Sequence, residues 1–176
     1  MSKSTQELEQ GTKTPREVAQ AIFDDLAKGD LSTIDRYVDE LAVDDFVAIG
    51  QYHGREAIRG FFQELFTAFP VFRIEVERIV ADDRTAVVQW EASGEFTGGP
   101  FIGIEPTGRH ADVRGVDVME IEGGRVRHNT IYYDGNTFAR QIGMLPREGS
   151  IADKAVLTGF NTVTKLRAKI RERRSG

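Results

Sequence analysis

Along this chain hydrophobic positions recur first at helical spacing and later at every second residue, which divides it into a helical first part and a stranded second part. Thr14-Pro15-Arg16-Glu17 combines a capping box with proline at the first helical position, where its missing N–H is harmless. Val18, Ile22 and Leu26 then mark one helix face, and Lys28-Gly29-Asp30 ends the run. Asp30 is placed to cap a second short helix carrying Leu31, Ile34 and Val38, and residues 45–50 read as a short strand. After Gly54, the residues Ala57, Ile58, Phe61, Phe62, Leu65, Phe66 and Phe69 cover more than half of a third helix. That helix is predicted to be buried on a wide face and stopped by Pro70.

Beyond Pro70 the period becomes two. Phe72, Ile74 and Val76 alternate with Arg73, Glu75 and Glu77, and Asp82-Asp83-Arg84 supplies a turn before a strand over 85–96. A loop rich in glycine and proline runs from Gly98 to Gly108. Two long strands follow, over 109–121 and 125–134, joined tightly at Gly123-Gly124. Helices first and antiparallel strands afterwards define an α+β class, not a parallel βαβ fold, and there is no internal repeat. Residues 1–13 are polar and are predicted to be disordered. One domain therefore occupies 14–146. Residues 147–176 form an appended amphipathic helix, with Val156, Phe160, Val163, Leu166 and Ile170 on one stripe and Lys165, Arg167, Lys169 and Arg171 around it.

Composition narrows the function classes. With 176 residues, 40% hydrophobic and 29% charged, the chain has an ordinary globular make-up and enough length for one substantial core. No run is apolar and long enough for a membrane span, and the first residues lack an apolar signal core, so a cytoplasmic protein is expected. Without cysteine there is no disulfide, thiolate metal site or cysteine nucleophile, and three histidines make a histidine-rich metal site unexpected. The net charge of −5 is uneven. Residues 147–176 hold eight basic and three acidic residues, +5, which leaves 15 basic and 25 acidic residues, −10, before them. Such an acidic body excludes the usual electrostatics of nucleic-acid binding.

Three segments in order carry a family resemblance: Gly54-Arg55-Glu56-Ala57-Ile58 before an aromatic helix, Pro106-Thr107-Gly108-Arg109, and Val116 to Val126 with its Gly123-Gly124 turn. With Gln141-Ile142-Gly143-Met144-Leu145-Pro146 closing the domain, residues 15–146 resemble the SnoaL-like polyketide cyclases within the nuclear transport factor 2-like and ketosteroid isomerase-like superfamily. The resemblance implies a cone: a curved, mixed but mostly antiparallel sheet wrapped around N-terminal helices, with an apolar cavity. It also implies cofactor-free chemistry by one or two polar residues, because a desolvated carboxyl rises in pKa towards the range useful for proton transfer.

Asp117 is the leading candidate. It lies between Val116 and Val118, shares a face with Val113 and Gly115 by alternation, and falls where relatives place an oxyanion-hole acid or a catalytic histidine. The alternative is a solvent-facing carboxylate or a structural pair with Arg114 or Arg125. Where SnoaL-like cyclases commonly carry His-Trp-Asp on the last strand, this chain reads Asn129-Thr130-Ile131, and Ile131 holds no proton. Asn129 can orient a carbonyl and Tyr133, on the same face, can donate a hydrogen bond, although both are equally read as residues that fill the cone. Phe23, Leu26, Phe62, Trp90, Val113, Gly115 and Ile131 are expected in the wall, with Tyr52 and His53 at the mouth. Arg109, His110 and His128 are expected outside, and Asp134 is read as a helix cap. The Arg/Asp and Asp set of the limonene epoxide hydrolases would fall on Trp90, Ala92 and Ile131, so that reaction is excluded.

Two functions remain open. One is a cyclase or isomerase acting on a small hydrophobic carbonyl compound, polyketide-like or steroid-like, by enolate chemistry without cofactor or metal. The other is a non-catalytic small-molecule-binding or assembly module of the same fold. A homodimer is expected, with the C-terminal helix packed on its own dimer or on another protein.

Overall fold

The computed structural model describes residues 13–175, so most of the segment expected to be disordered lies outside the described residues, as do the side chains of Lys169 and of residues 172–175. Helix α1 (Pro15–Leu26) starts on the expected capping box: Oγ1 of Thr14 accepts from the Glu17 N–H, and Oε2 of Glu17 accepts from the Thr14 N–H at 2.8 Å. Its inner face buries Val18, Ala19, Ile22, Phe23 and Leu26. Each large side chain among them contributes about 1.5–3 kcal/mol on burial.

The next segment departs from the sequence reading. Helix α2 (Ser32–Tyr37) ends before Val38, and strand β1 (Val38–Phe46) begins there, well ahead of residue 45. Val38 is β-branched and finds its burial beside Ile34, Ala42 and Ile58, opposite Val126 of the last strand. Residues 47–49 form the turn into β2 (Gly50–His53) and are not strand. Helix α3 (Arg55–Ala68) follows, and it buries Ile58, Phe61 and Ala68 while Ala57 stays exposed. The wide face is therefore narrower than expected at its N-terminal end.

Strands β3 (Arg73–Ala81), β4 (Thr85–Glu95), β5 (His110–Glu122) and β6 (Arg125–Tyr133) complete one six-stranded sheet in the order β2-β1-β6-β5-β4-β3. All neighbours are antiparallel except β1 and β6, which run parallel. Register shifts interrupt the pairing after Val38, after Val76 and after Glu120. Bulges of this kind bend the strand that carries them, which fits a sheet curved around α1 and α3. Helix α4 (Gly135–Ile142) is capped by Asp134 as expected, its Oδ1 accepting from the Thr137 N–H at 3.0 Å. Helix α5 (Ile151–Ser175) carries the apolar stripe outward, with Val156, Phe160, Val163, Leu166 and Ile170 all exposed.

Candidate active site

Parity decides which side chains enter the cone. On β5 the inward series is Ala111, Val113, Gly115, Asp117, Met119 and Ile121, and on β6 it is Val126 and then, past the register shift, Asn129 and Ile131. Asp117 faces Ile131 in register, and Gly115 faces Tyr133. Asp117 is 7% exposed, so it is neither a solvent-facing carboxylate nor an arginine partner. Arg114 pairs with Glu91, and Arg125 donates to the backbone carbonyls of Asp35 and Val38.

Two neutral donors hold the Asp117 carboxyl. Trp90 Nε1–H donates to Oδ1 at 2.7 Å, and Asn129 Nδ2–H donates to Oδ2 at 2.8 Å. Burial pushes Asp117 up to about 6, against the opposing pull of these two hydrogen bonds. Both partners are donors, so the arrangement presents a carboxylate with its orientation fixed. The Trp90 bond depends on Gly115. A Cβ there would collide with Cζ2 of the indole and lie 2.6 Å from Cη2 and 2.7 Å from Cε2, so only glycine lets the ring lie across β5.

A cavity of about 120 Å³ opens beside this carboxyl. Phe23, Leu26, Phe62, Trp90, Val113, Asp117, Ile131 and Tyr133 line it, as do Phe46, Phe61, Phe69, Phe101 and Phe138. Phe101 and Phe138 arrive from the 97–109 loop and from α4, and the loop is tied to α3 by Gly98 and Gly99 N–H groups donating to the carbonyls of Ala68 and Thr67. Lining residues Phe23, Leu26, Trp90 and Ile131 are buried, whereas Phe62, Leu65 and Phe72 are half-buried.

Three predicted residues sit differently. Tyr52 is on β2 with its ring against Phe46 and Phe61, and it does not line the cavity. Gly115 supports Trp90 from beneath and contributes no wall of its own. Asn129 is buried at 5% exposure outside the lining, and its amide is spent on Asp117. His53, Arg109 and His110 are exposed, and His128 is half-buried. Tyr133 lines the cavity, its hydroxyl makes no hydrogen bond among the described residues, and it is pushed up to about 12 mainly by burial, with the Tyr52 phenol adding.

The sequence reading missed Asp44. It is 4% exposed on β1, directly opposite Asn129 of β6 and Tyr52 of β2, and burial with the nearby Asp117 charge pushes it up to about 8. The signal was the series Ala42, Asp44, Phe46, which shares one face once the strand is known to begin at Val38. Among the described residues there is no cluster of three or more His, Cys, Asp or Glu able to hold a metal, and no helix long and apolar enough to cross a membrane.

A six-stranded curved sheet closed by N-terminal helices, with a buried acid facing an aromatic cavity, defines an α+β protein of the nuclear transport factor 2-like class. Residues 16–142 match the SnoaL-like polyketide cyclase family, and the chain belongs to it. No curated protein matches the sequence significantly. Among solved structures, a candidate SnoaL-like polyketide cyclase of Jannaschia sp. CCS1 has a TM-score of 0.67 at 24% identity, covering 75% of this chain and 93% of that one. IdmH of Streptomyces antibioticus, a candidate polyketide cyclase, has a TM-score of 0.62 at 23% identity over 74% of this chain and 99% of its own. AclR of Streptomyces galilaeus, a candidate hydroxylase, has a TM-score of 0.66 at 18% identity over 92% and 97%. At these identities the likeness shows the fold alone.

Proposed function

We propose that this protein is a cofactor-independent cyclase or isomerase that removes an acidic proton next to a carbonyl group in a small apolar compound. The observation that carries the reading is the buried Asp117 carboxyl, oriented by two donors at the edge of an aromatic cavity. Near neutral pH this group is largely ionised yet more basic than an ordinary aspartate, which suits a general base. The Tyr133 phenol stays protonated across that range and supplies a donor for the enolate oxygen. Asn129 acts through Asp117 as a positioning residue. Ile131, in place of a last-strand acid, leaves Asp117 as the only carboxyl among the described residues that line the cavity.

Size limits the substrate. About 120 Å³ accommodates roughly a benzene-sized group, whereas drug-sized ligands need about 300–1,000 Å³. The reacting end of the substrate enters the cone and any larger remainder extends past the half-buried part of its lining.

We assign a second copy of the chain to the apolar stripe of α5, because its basic segment of +5 complements a body of −10. Residues 14–146 are then the catalytic domain and 147–176 the assembly segment.

The test is deuterium exchange at the α-carbon of small apolar ketones and 1,3-dicarbonyl compounds in heavy water. Exchange catalysed by the wild type and lost in Asp117→Asn supports the reading. Tight binding of such compounds without exchange would make the protein a binding module.

A further inference from the structure

Asn129 leaves a question at its other end. Its Nδ2–H donates to Asp117 of β5, so Oδ1 is the arm of the planar amide that Asp117 does not use, and the strand on the other side of β6 is β1. That oxygen is buried and has no hydrogen-bond partner among the described residues. The residue across from Asn129 in the parallel register with β1 is Asp44, itself buried and with no hydrogen bond to its carboxyl among the described residues. A carbonyl oxygen in need of a donor thus stands beside a carboxyl that becomes a donor when it keeps its proton.

We infer that Asp44 donates its carboxyl proton to Oδ1 of Asn129 and thereby locks the amide in the orientation that serves Asp117, so that Asp44, Asn129, Asp117 and Trp90 form one hydrogen-bonded line across β1, β6, β5 and β4. A flipped amide would set its oxygen against the Asp117 carboxylate and lose that donor. Asp44 is therefore a positioning residue, two side chains removed from the reacting atoms.

The groups around Asp44 favour the neutral acid. Asp117 on β5 is a like charge, and Tyr52, its register partner on β2, is neutral. The buried residues of α2 and α3 nearest β1 are Ile34, Ile58 and Phe61. The cations nearby are committed elsewhere: Arg55 donates to the Val38 carbonyl, Arg125 to the carbonyls of Asp35 and Val38, and Arg127 pairs with Asp39. Burial accordingly holds Asp44 well above the ordinary aspartate range.

This inference rests on Asp117 as the acid of the site but not on any substrate. The experiment is carboxyl carbon NMR of aspartate-labelled full-length protein across pH 4–9, with resonances assigned by substitution, in the wild type, Asp44→Asn and Asp44→Leu. In the wild type Asp44 resonates as the protonated acid at pH 7. Asp44→Asn keeps an N–H donor for Oδ1 and leaves the Asp117 midpoint in place. Asp44→Leu removes the donor, frees the amide, and raises the midpoint by about one pH unit, a tenfold change in proton affinity. An ionised Asp44 at pH 6 overturns the inference, and so do equal midpoints in both variants. If the leucine variant fails to fold, the protonation of Asp44 at pH 7 and the unmoved midpoint in Asp44→Asn decide the matter. An Asp117 midpoint near 4 in the wild type would sink the catalytic reading instead, while a rise on Asp44→Leu would still uphold the line of hydrogen bonds.

Discussion

Replacing Gly115 with alanine isolates the contribution of the Trp90 bond to the proton affinity of Asp117. The new Cβ would sit 2.6 Å from Cη2 and 2.7 Å from Cε2 of the indole, whereas carbon atoms rest at about 3.5–4.0 Å. Cζ2 lies closer still, so the ring must retreat by more than about 1 Å, which stretches the 2.7 Å bond from Nε1 to Asp117 to or past the limit of about 3.5 Å where it ceases to count. A hydrogen bond to a charged group contributes about 1.5–3 kcal/mol, and one pKa unit corresponds to about 1.4 kcal/mol. The midpoint of Asp117 therefore rises from about 6 by about one to two units. Overpacking costs about 1–3 kcal/mol, which at about 2–4 °C per kcal/mol lowers Tm by about 2–12 °C. Trp90 is the only tryptophan of the chain, so its emission followed from pH 4 to 9 reads the ionisation of its own carboxylate partner. A Gly115→Ala protein with the wild-type midpoint and emission would refute the claim that glycine at 115 exists to seat the indole on Asp117.

Other outcomes follow from the same geometry. Tyr133→Phe removes the enolate donor and should lower kcat about 10²–10³-fold with KM little changed, as measured by steady-state kinetics. Asp44 and Asp117 both titrate above the unfolded value of about 3.9, so the native state binds more protons than the unfolded state and stability falls as pH rises through about 6 and about 8. Melting curves of Asp44→Asn and wild type should accordingly converge near pH 4 and separate towards pH 9 with the variant more stable, and a gap that does not widen with pH would contradict this. Truncation after Pro146 should convert dimer to monomer in light scattering and lower Tm, whereas an unchanged mass would leave the α5 stripe to an outside partner.

Much of the site was legible because alternation within one strand needs no tertiary knowledge. The start of α1 could be read from Thr14 to Glu17, and parity alone put Asp117 on the inner face of β5 with Val113 and Gly115. Trp90 was read as wall and lines the cavity, yet its bond to Asp117 crosses 27 positions and appears only when β4 and β5 are in register. The segment 38–46 hid its strand because Asp39, Glu40, Asp44 and Asp45 break the apolar alternation, and its pairing with β6 is parallel and long-range. That error concealed Asp44. Asn129 was noticed as a polar residue in the cone, but which group its amide serves depends on three strands at once.

The most direct test of the account is the pH dependence of α-proton exchange, followed as kcat/KM for the best small ketone alongside the Trp90 emission titration. The account predicts a rate that rises through a single ionisation near pH 6, the same midpoint in the fluorescence curve, a parallel upward move of both in Gly115→Ala, and no exchange in Asp117→Asn. A rate that is flat between pH 4 and 8, or that survives in Asp117→Asn, would contradict the assignment of Asp117 as the base.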